Sequence, residues 1–533
     1  MDLQRSFFIF GFFFILFLVL EIWNFNTNAH IHVSLYQNHN VNLVKNDDVN
    51  SISVTTNVLH VKINLEGGDI EQAQLLHFKD KLNSSKPLIL LDNKKNFIYK
   101  TKSGVIRKNF LDNENAKKKP IYIASKKHFK LKKNQKEIHI PLLWTSREGI
   151  TYIKTFIFKS NSYDIDVKYK IYNKTNKNLE ISFFGGLQQS IGILDKKDAS
   201  NSNFSLQTFR GAAYSTDSVK YEKYHFDAIF KQNNLNVVTY NGWIAMLQQY
   251  FVTAWIPDNI LLNTFYTAKV SSDVIEIGFY SHTINVKPHS QITYSSKLWI
   301  GPEIQNAMAQ SAPNLDLTVD YGYLWFLSQP LFKLLKFLYN IVGNWGVSII
   351  LITFIIRGIM YPLTKSQYTT MTKIKKIQPK IDQIKQNYEN NKQKMSEKIL
   401  ELYKFEKVNP LGGCFPLLIQ MPIFLALYYM LISSVELRHA PFVFWIKDLS
   451  DQDPYYVLPV LMGLTMFLIQ IITPNNISDP VQRKVMHVVP MIFTVFFLWF
   501  PSGLVIYYIT SNLVTIIQQK YILNHLKDTS EST

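Results

Sequence analysis

Two patterns divide the chain. From about residue 30 to 325, apolar and polar positions alternate with period two. Leu59, Val61, Ile63 and Leu65 share one face, as do Tyr163, Ile165, Val167, Tyr169 and Ile171. Thr151–Phe158 and Val274–Tyr280 add β-branched and aromatic runs. Such alternation predicts half-buried antiparallel strands, and many of them in sequence predict a large β-sandwich. The Lys- and Asn-rich stretches Lys94–Lys119 and Lys126–Lys136 read as long solvated hairpins. Their lysines suit a strand edge exposed to water better than an anion site.

The second pattern is unbroken apolar sequence. Ser6–Leu20, Val408–Val435, Pro454–Ser478 and Val485–Gln519 carry no charge, and Phe337–Thr364 carries only Arg357. A spanning helix needs about 20 predominantly apolar residues, so the chain reads as an integral membrane protein. As one helix, Val485–Gln519 would be about 52 Å long, against a hydrocarbon core of about 30 Å. Phe500-Pro501-Ser502-Gly503 interrupts it, and Pro followed by Gly breaks a helix. Six spans result, near 7–23, 340–362, 411–434, 456–474, 487–500 and 504–519. Each arm of the last hairpin has about 16 residues, or about 24 Å of helix, which predicts a locally thinned bilayer. The first span reads as a retained anchor over 1–24 rather than a cleaved signal, since no good small-x-small site follows it.

Charge sets the orientation. The loop Lys365–Lys407 holds eleven Lys, no Arg and five acidic residues, and Arg483 and Lys484 mark the loop before the fifth span. The positive-inside rule places both loops, and with six spans both termini, in the cytoplasm. The β-domain then lies outside, which in a bacterium means the periplasm, and a bundle of spans over 335–525 ends in a short tail, 526–533. Within the cytoplasmic segment 365–408, Ile374, Ile377, Ile381, Ile384 and Tyr388 recur at helical spacing, as do Met395, Ile399, Leu402 and Phe405. These predict a helical hairpin. Its two stripes either pack on each other or dock on a partner or the lipid surface.

Composition narrows the function. Of 533 residues 47% are hydrophobic and 18% charged, with net charge +18. The apolar content excludes intrinsic disorder, and the basic excess is read against a membrane surface rather than a specific nucleic acid. The single cysteine, Cys414, excludes an internal disulfide framework and a cysteine-cluster zinc site. The sequence contains no P-loop, no His-Glu-x-x-His and no glycine-rich dinucleotide turn. No enzyme activity, cofactor or metal is expected; His30 and His32 are an isolated pair.

Arg357 carries the most information. It lies eight residues before Lys365, about 12 Å deeper on a straight helix. A charge at mid-membrane costs at least about 2.5–3.5 kcal/mol, so such a residue faces a wet cavity or a partner unless it snorkels to the interface. Only seven of the 57 basic residues are arginine, and arginine is the cation that stays charged when buried. The last five spans contain no acidic residue to neutralise it. Its available neighbours are Thr353 one turn earlier, and Gln420, Tyr508 and Ser511 from other spans. Together they outline a hydrophilic, cationic hollow, although Thr353 can equally bond back to its own helix.

The third and fifth spans offer a different surface. Gln420-Met421-Pro422-Ile423-Phe424, preceded by Cys414-Phe415-Pro416, and Pro490, Phe493, Phe496 and Phe497 combine sulfur, aromatic and proline residues. Such faces suit loose apolar binding, or simply face lipid and neighbouring helices.

Several stretches resemble the YidC family of membrane protein insertases. Asn344-Trp345-Gly346 through Arg357-Gly358-Ile359-Met360-Tyr361-Pro362-Leu363-Thr364 resembles the second span. Asn409-Pro410-Leu411-Gly412-Gly413-Cys414-Phe415-Pro416 through Gln420-Met421-Pro422 resembles the third, and Phe500-Pro501-Ser502-Gly503-Leu504 with Ser511-Asn512-Leu513 the last hairpin. Gly242-Trp243-Ile244-Ala245-Met246 through Trp255-Ile256-Pro257 is the best match in the β-region.

The resemblance implies a six-helix membrane protein with a five-helix insertase core and a large periplasmic all-β supersandwich domain, 45–325, of sugar-epimerase-like fold. It implies a hydrophilic groove open to cytoplasm and lipid, with Arg357 at its centre and Thr353 and Tyr508 beside it. It further implies a substrate slide of Met421, Pro422, Phe424, Pro490, Phe493 and Phe496. The implied partners are nascent inner-membrane proteins, the Sec translocon and the lipid bilayer. The tail after Tyr521 is short and nearly neutral, so ribosome contact would fall to the cytoplasmic loops. A solute transporter or channel is the competing class; it would need a path across both leaflets or alternating access, and the sequence shows neither an inverted repeat nor a coupling carboxylate.

Overall fold

The computed structural model describes residues 50–531 except 95–96, 108–118, 192–208, 232–233, 390, 409–414 and 474–479. The expected first span, and the start of the third with Cys414, lie outside the described residues.

The alternating sequence folds as two stacked, almost wholly antiparallel sheets of eleven and nine strands among the described residues. Period two aims every second side chain inward. The strand Leu59–Asn64 buries Leu59, Val61 and Ile63, and Asp164–Tyr172 buries Ile165, Val167, Tyr169 and Ile171. Trp243, Trp255 and Trp299 are fully buried: Trp255 Nε1 donates to the Gly186 carbonyl of the facing sheet, and Trp243 Nε1 to the Pro313 carbonyl.

Phe97–Arg107, inside the supposed solvated hairpin Lys94–Lys119, is a strand deep in the larger sheet, paired with Leu179–Ser190. Its alternate residues Tyr99, Thr101 and Ser103 are buried, a pattern masked by Lys100 and Lys102 on the opposite face. By contrast His128–Lys130 is a three-residue strand at the end of the same sheet, where lysines discourage further pairing.

A helical bundle follows. α1 (Trp325–Val342) ends at Gly343 in the left-handed conformation, with φ 74°, which a residue without Cβ adopts freely. The side chain of Asn344 then accepts from the Val347 amide and starts α2 (Trp345–Ile359). The chain bends by 58° into α3 (Tyr361–Asn387), because Pro362 has no N–H to continue the ladder. The expected span 340–362 is thus not one helix but the end of α1, all of α2 and the bend. The hairpin is completed by α4 (Lys392–Phe405), capped by Asn391. Ile377, Ile381, Met395 and Ile399 form its small core, with Ile384, Tyr388 and Leu402 packed around them. The two stripes thus face each other except at their ends: Ile374 lies outside this core and Phe405 is 82% exposed.

α5 (Phe415–Ser433), α6 (Val457–Ile472), α7 (Pro480–Phe496) and α8 (Ser502–Glu531) complete the bundle. α8 packs on α2, α3 and α6. The turn before it is fixed by the Ser502 and Gly503 amides donating to Asp451 and Leu449 carbonyls at 2.7 and 2.9 Å. A side chain at Gly503 would press on the Leu449 carbonyl. The arms of this hairpin are longer than the uncharged sequence suggested: α7 begins before Arg483, and α8 continues through the expected tail to Glu531. Only their apolar portions are short. No single described helix is long and apolar enough to cross a membrane; the bent pair α2–α3 passes that test together, and Ile419–Ser433, Val457–Ile472 and Val488–Trp499 are shorter apolar helices. The Arg438 guanidinium joins the bundle to the β-domain by donating to the Lys79 and Asp80 carbonyls at 2.9 and 3.1 Å.

Candidate functional site

Arg357 occupies the last turn of α2, where a cation complements the partial negative charge of the helix end. It is only 7% exposed. Its Nε donates to Ser511 Oγ at 2.7 Å, and Nη2 shares the same hydroxyl. The Gln518 amide donates to the Arg357 carbonyl at 3.2 Å, so α8 grips both the side chain and the backbone of this residue. Arg357 makes no ion pair among the described residues. Among the described residues Ser511 is the one hydrogen-bond acceptor on the guanidinium. Tyr368, Tyr507 and Tyr508 are close enough to interact with it electrostatically.

The other expected polar neighbours divide. Ser511 is 1% exposed and in direct contact with the guanidinium. Thr353 is fully buried, but its hydroxyl donates to the Ile349 carbonyl at 2.6 Å, so its hydrogen is spent within its own helix. Tyr508 lies beside the arginine and also against the aromatic cluster described below. Gln420, on the first half of α5, is partly exposed and makes no hydrogen bond to Arg357 among the described residues.

Three of the residues expected to form an apolar slide, Phe424, Phe493 and Phe496, meet around one ring. Phe497 is buried, in a short 3-10 turn after α7. Its centroid lies 6.4 Å from Phe424, 6.3 Å from Phe493, 6.1 Å from Phe496 and 4.9 Å from Tyr508. Tyr508 in turn stands edge-on to Phe424 at 5.3 Å. The polar and aromatic regions therefore adjoin at Tyr508. Pro490 is buried, Met421 is half-buried and Pro422 is exposed. Beyond them, Val488, Met491, Ile492 and Val495 form an exposed apolar face of α7.

Sequence reasoning missed Gln518 as a partner of Arg357. The signal was present: Gln518 lies seven residues after Ser511, two helical turns along the same face. Gln518 Oε1 and both amide atoms of Gln470 are buried without a partner, and buried polar atoms of this kind call for water or another polar group. The described residues contain no group of three or more His, Cys, Asp or Glu arranged to hold a metal ion.

Comparison with known proteins covers nearly the whole chain. A family model described as 60Kd inner membrane protein matches residues 337–529, and one described as YidC periplasmic domain matches 51–334. The sequence is 61% identical over 534 residues to the membrane protein insertase YidC of Buchnera aphidicola subsp. Baizongia pistaciae, spanning 99% of this chain and 100% of the relative. It is 56% identical over 531 residues to the membrane protein insertase YidC of Buchnera aphidicola subsp. Schizaphis graminum, spanning 99% of each. A crystal structure of an active YidC insertase with its first transmembrane domain resolved is 19% identical, covers 87% of this chain and 91% of its own, and superposes with a TM-score of 0.38.

Proposed function

The chain belongs to the YidC family of membrane protein insertases, and we propose that it performs insertion through Arg357, held as an unneutralised cation on the α2–α8 seam. Members of this family are inner-membrane proteins with a periplasmic domain, and nothing in the family points to an enzyme. The observation that carries the proposal is the guanidinium bonded to a serine hydroxyl, with no carboxylate on it among the described residues. A fixed charge without a counter-ion attracts mobile negative charge, and does so strongly where water is sparse.

In this mechanism a client's hydrophilic, often acidic, translocated segment approaches the seam from the cytoplasmic side and is held by Arg357. Ser511 orients the guanidinium and Gln518 holds its backbone, while the Gln470 amide and Gln518 Oε1, buried without a partner among the described residues, offer further polar partners. Tyr508, Thr353 and Gln420 edge the same groove. The client's apolar segment meets Met421, Pro422, Phe424, Pro490, Phe493 and Phe496 and leaves into lipid, where burial of its side chains drives release. The short apolar portions of α7 and α8 thin the bilayer and shorten the crossing.

The charge pattern orients the protein with both termini and the α3–α4 hairpin in the cytoplasm and the β-domain in the periplasm. The first 24 residues serve as its anchor, residues 45–325 as the periplasmic domain and 335–525 as the insertase core. Nascent membrane proteins are the clients, and anionic lipid is a second partner for the basic hairpin. Exposed Phe405 and the lysines of that hairpin suit ribosome contact, and work beside the Sec translocon is consistent with the scheme.

Photocrosslinking tests the path. A photoreactive residue at Met421 or Phe496 is expected to capture a small membrane protein during its synthesis, whereas one at Trp243, enclosed in the β-domain, captures none. Equal capture from all three positions would contradict it.

A further inference from the structure

α8 carries two polar doublets, Ser511-Asn512 and Gln518-Gln519, seven residues apart in an uncharged stretch. Successive residues of a helix point about 100° apart, and seven residues complete nearly two turns. Each doublet therefore offers one side chain to each of two neighbours, at two levels. Ser511 and Gln518 face α2, bonding the side chain and the carbonyl of Arg357. Asn512 and Gln519 face α6 instead. Asn512 Nδ2 donates to Thr465 Oγ1 at 3.0 Å, and Gln519 Nε2 donates to Thr473 Oγ1 at 3.1 Å.

Both threonine hydrogens are already committed to their own helix, to the Met462 and Ile469 carbonyls at 2.7 Å each. At Thr465 this leaves the oxygen as acceptor and the Asn512 amide as donor; at Thr473 the hydroxyl also lies 3.5 Å from Gln519 Oε1, beside the bond it accepts from Nε2. Asn512 and Gln519 are buried, so neither amide has an alternative in bulk water. A rotation of α8 by one position would break both bonds to α6 and carry Ser511 off the arginine.

We propose that Asn512 and Gln519 are positioning residues for Arg357: by pinning α8 to Thr465 and Thr473 of α6, they hold Ser511 and Gln518 on the guanidinium and its backbone. This rests on the reading of Arg357 as the client-attracting charge. The bonds differ from ordinary interhelical glue in their pairing, one doublet member on each neighbour, which couples the α6 contact to the arginine through adjacent residues.

The test is a double-mutant cycle on the full-length protein in membrane vesicles. It reads insertion of a single-span reporter with several acidic residues in its translocated segment, relative to the same reporter with those residues changed to alanine. Asn512→Leu and Thr465→Val are each expected to lower this ratio by about fivefold, the scale of one good interhelical hydrogen bond; Thr465→Ser, which keeps the acceptor, restores it. In an Arg357→Ala background, neither Asn512→Leu nor Thr465→Val lowers the ratio further. If Asn512→Leu fails to accumulate, Thr465→Val gives the same reading from the other partner. Equal loss of both reporters, or an undiminished effect in the Arg357→Ala background, would overturn the inference. A ratio unchanged by Arg357→Ala itself would instead overturn the reading beneath it.

Discussion

Arg357 and Ser511, 154 residues apart in sequence, meet across α2 and α8 with Nε donating to the serine oxygen at 2.7 Å. The partner is neutral. A hydroxyl orients the guanidinium without cancelling its charge, whereas a carboxylate in the same place would do both. The charge is therefore stored rather than spent, and this distinction can be tested directly.

Ser511→Asp would turn the contact into an internal ion pair. Insertion of a client with an acidic translocated segment should fall by about tenfold, as much as on losing the arginine, although Arg357 is still present. Ser511→Ala, which removes only the orienting bond, should cost about threefold. An insertion assay with both variants checks the order; an aspartate variant as active as wild type would show that free charge is not what matters.

Phe497 is the hub of the aromatic cluster joining α5, α7 and α8. Replacing it with alanine opens a cavity under Phe424, Phe493, Phe496 and Tyr508, and should cost about 3–5 kcal/mol. Unfolding of the detergent-solubilised protein measures this. Phe497→Leu, which fills part of the space, should lose less than half as much.

Much of the fold and of the site is legible in the amino-acid order itself. The inward residues of Asp164–Tyr172, the facing stripes of α3 and α4, and Arg357 with Ser511 all follow from periodicity or from one misplaced charge. What escapes is set by the backbone. The 58° bend before Pro362 puts Lys365 on a different helix axis, so a depth counted along a straight helix loses its meaning. The length of α8 escapes because hydropathy reports where a helix is apolar, not where its hydrogen bonds stop. Phe97–Arg107 is hidden because its lysines decorate the outward face while Tyr99, Thr101 and Ser103 carry the burial. Thr353 presents two options with one signature, and the backbone bond to Ile349 is the one observed.

The cytoplasmic hairpin depends on four side chains. Ile381→Ala should remove about 2–5 kcal/mol from a core formed by Ile377, Ile381, Met395 and Ile399, enough to separate α4 from α3. Amide hydrogen exchange over 377–402 should accelerate sharply, while α2 and α8 keep their protection. The exposed Lys380–Glu406 pair at 2.7 Å should contribute little, so Lys380→Ala leaves the exchange pattern nearly unchanged.

Lys154 gives the β-domain a pH dependence. Fully buried between the sheets, it donates to the Gly68 and Ser103 carbonyls at 2.6 and 2.9 Å. Burial pushes its pKa down to about 7, against a partial upward pull from Asp69. Between that value and the ordinary lysine value, the unfolded chain holds a proton that the folded chain has released. Its contribution to stability therefore rises with pH from about 7 to 10, and is least below 7, where both states are charged. The midpoint for β-domain unfolding, measured against Lys154→Met across that range, should move in this direction; a difference independent of pH would contradict it.

The central claim is that the Arg357 charge recruits acidic segments, and paired reporters in membrane vesicles measure it most directly. Arg357→Ala should lower insertion of the acidic reporter by about tenfold or more relative to its neutral counterpart, with Arg357→Lys falling between the alanine variant and wild type. Equal insertion of the two reporters by wild type and the alanine variant, at matched protein levels, would contradict it.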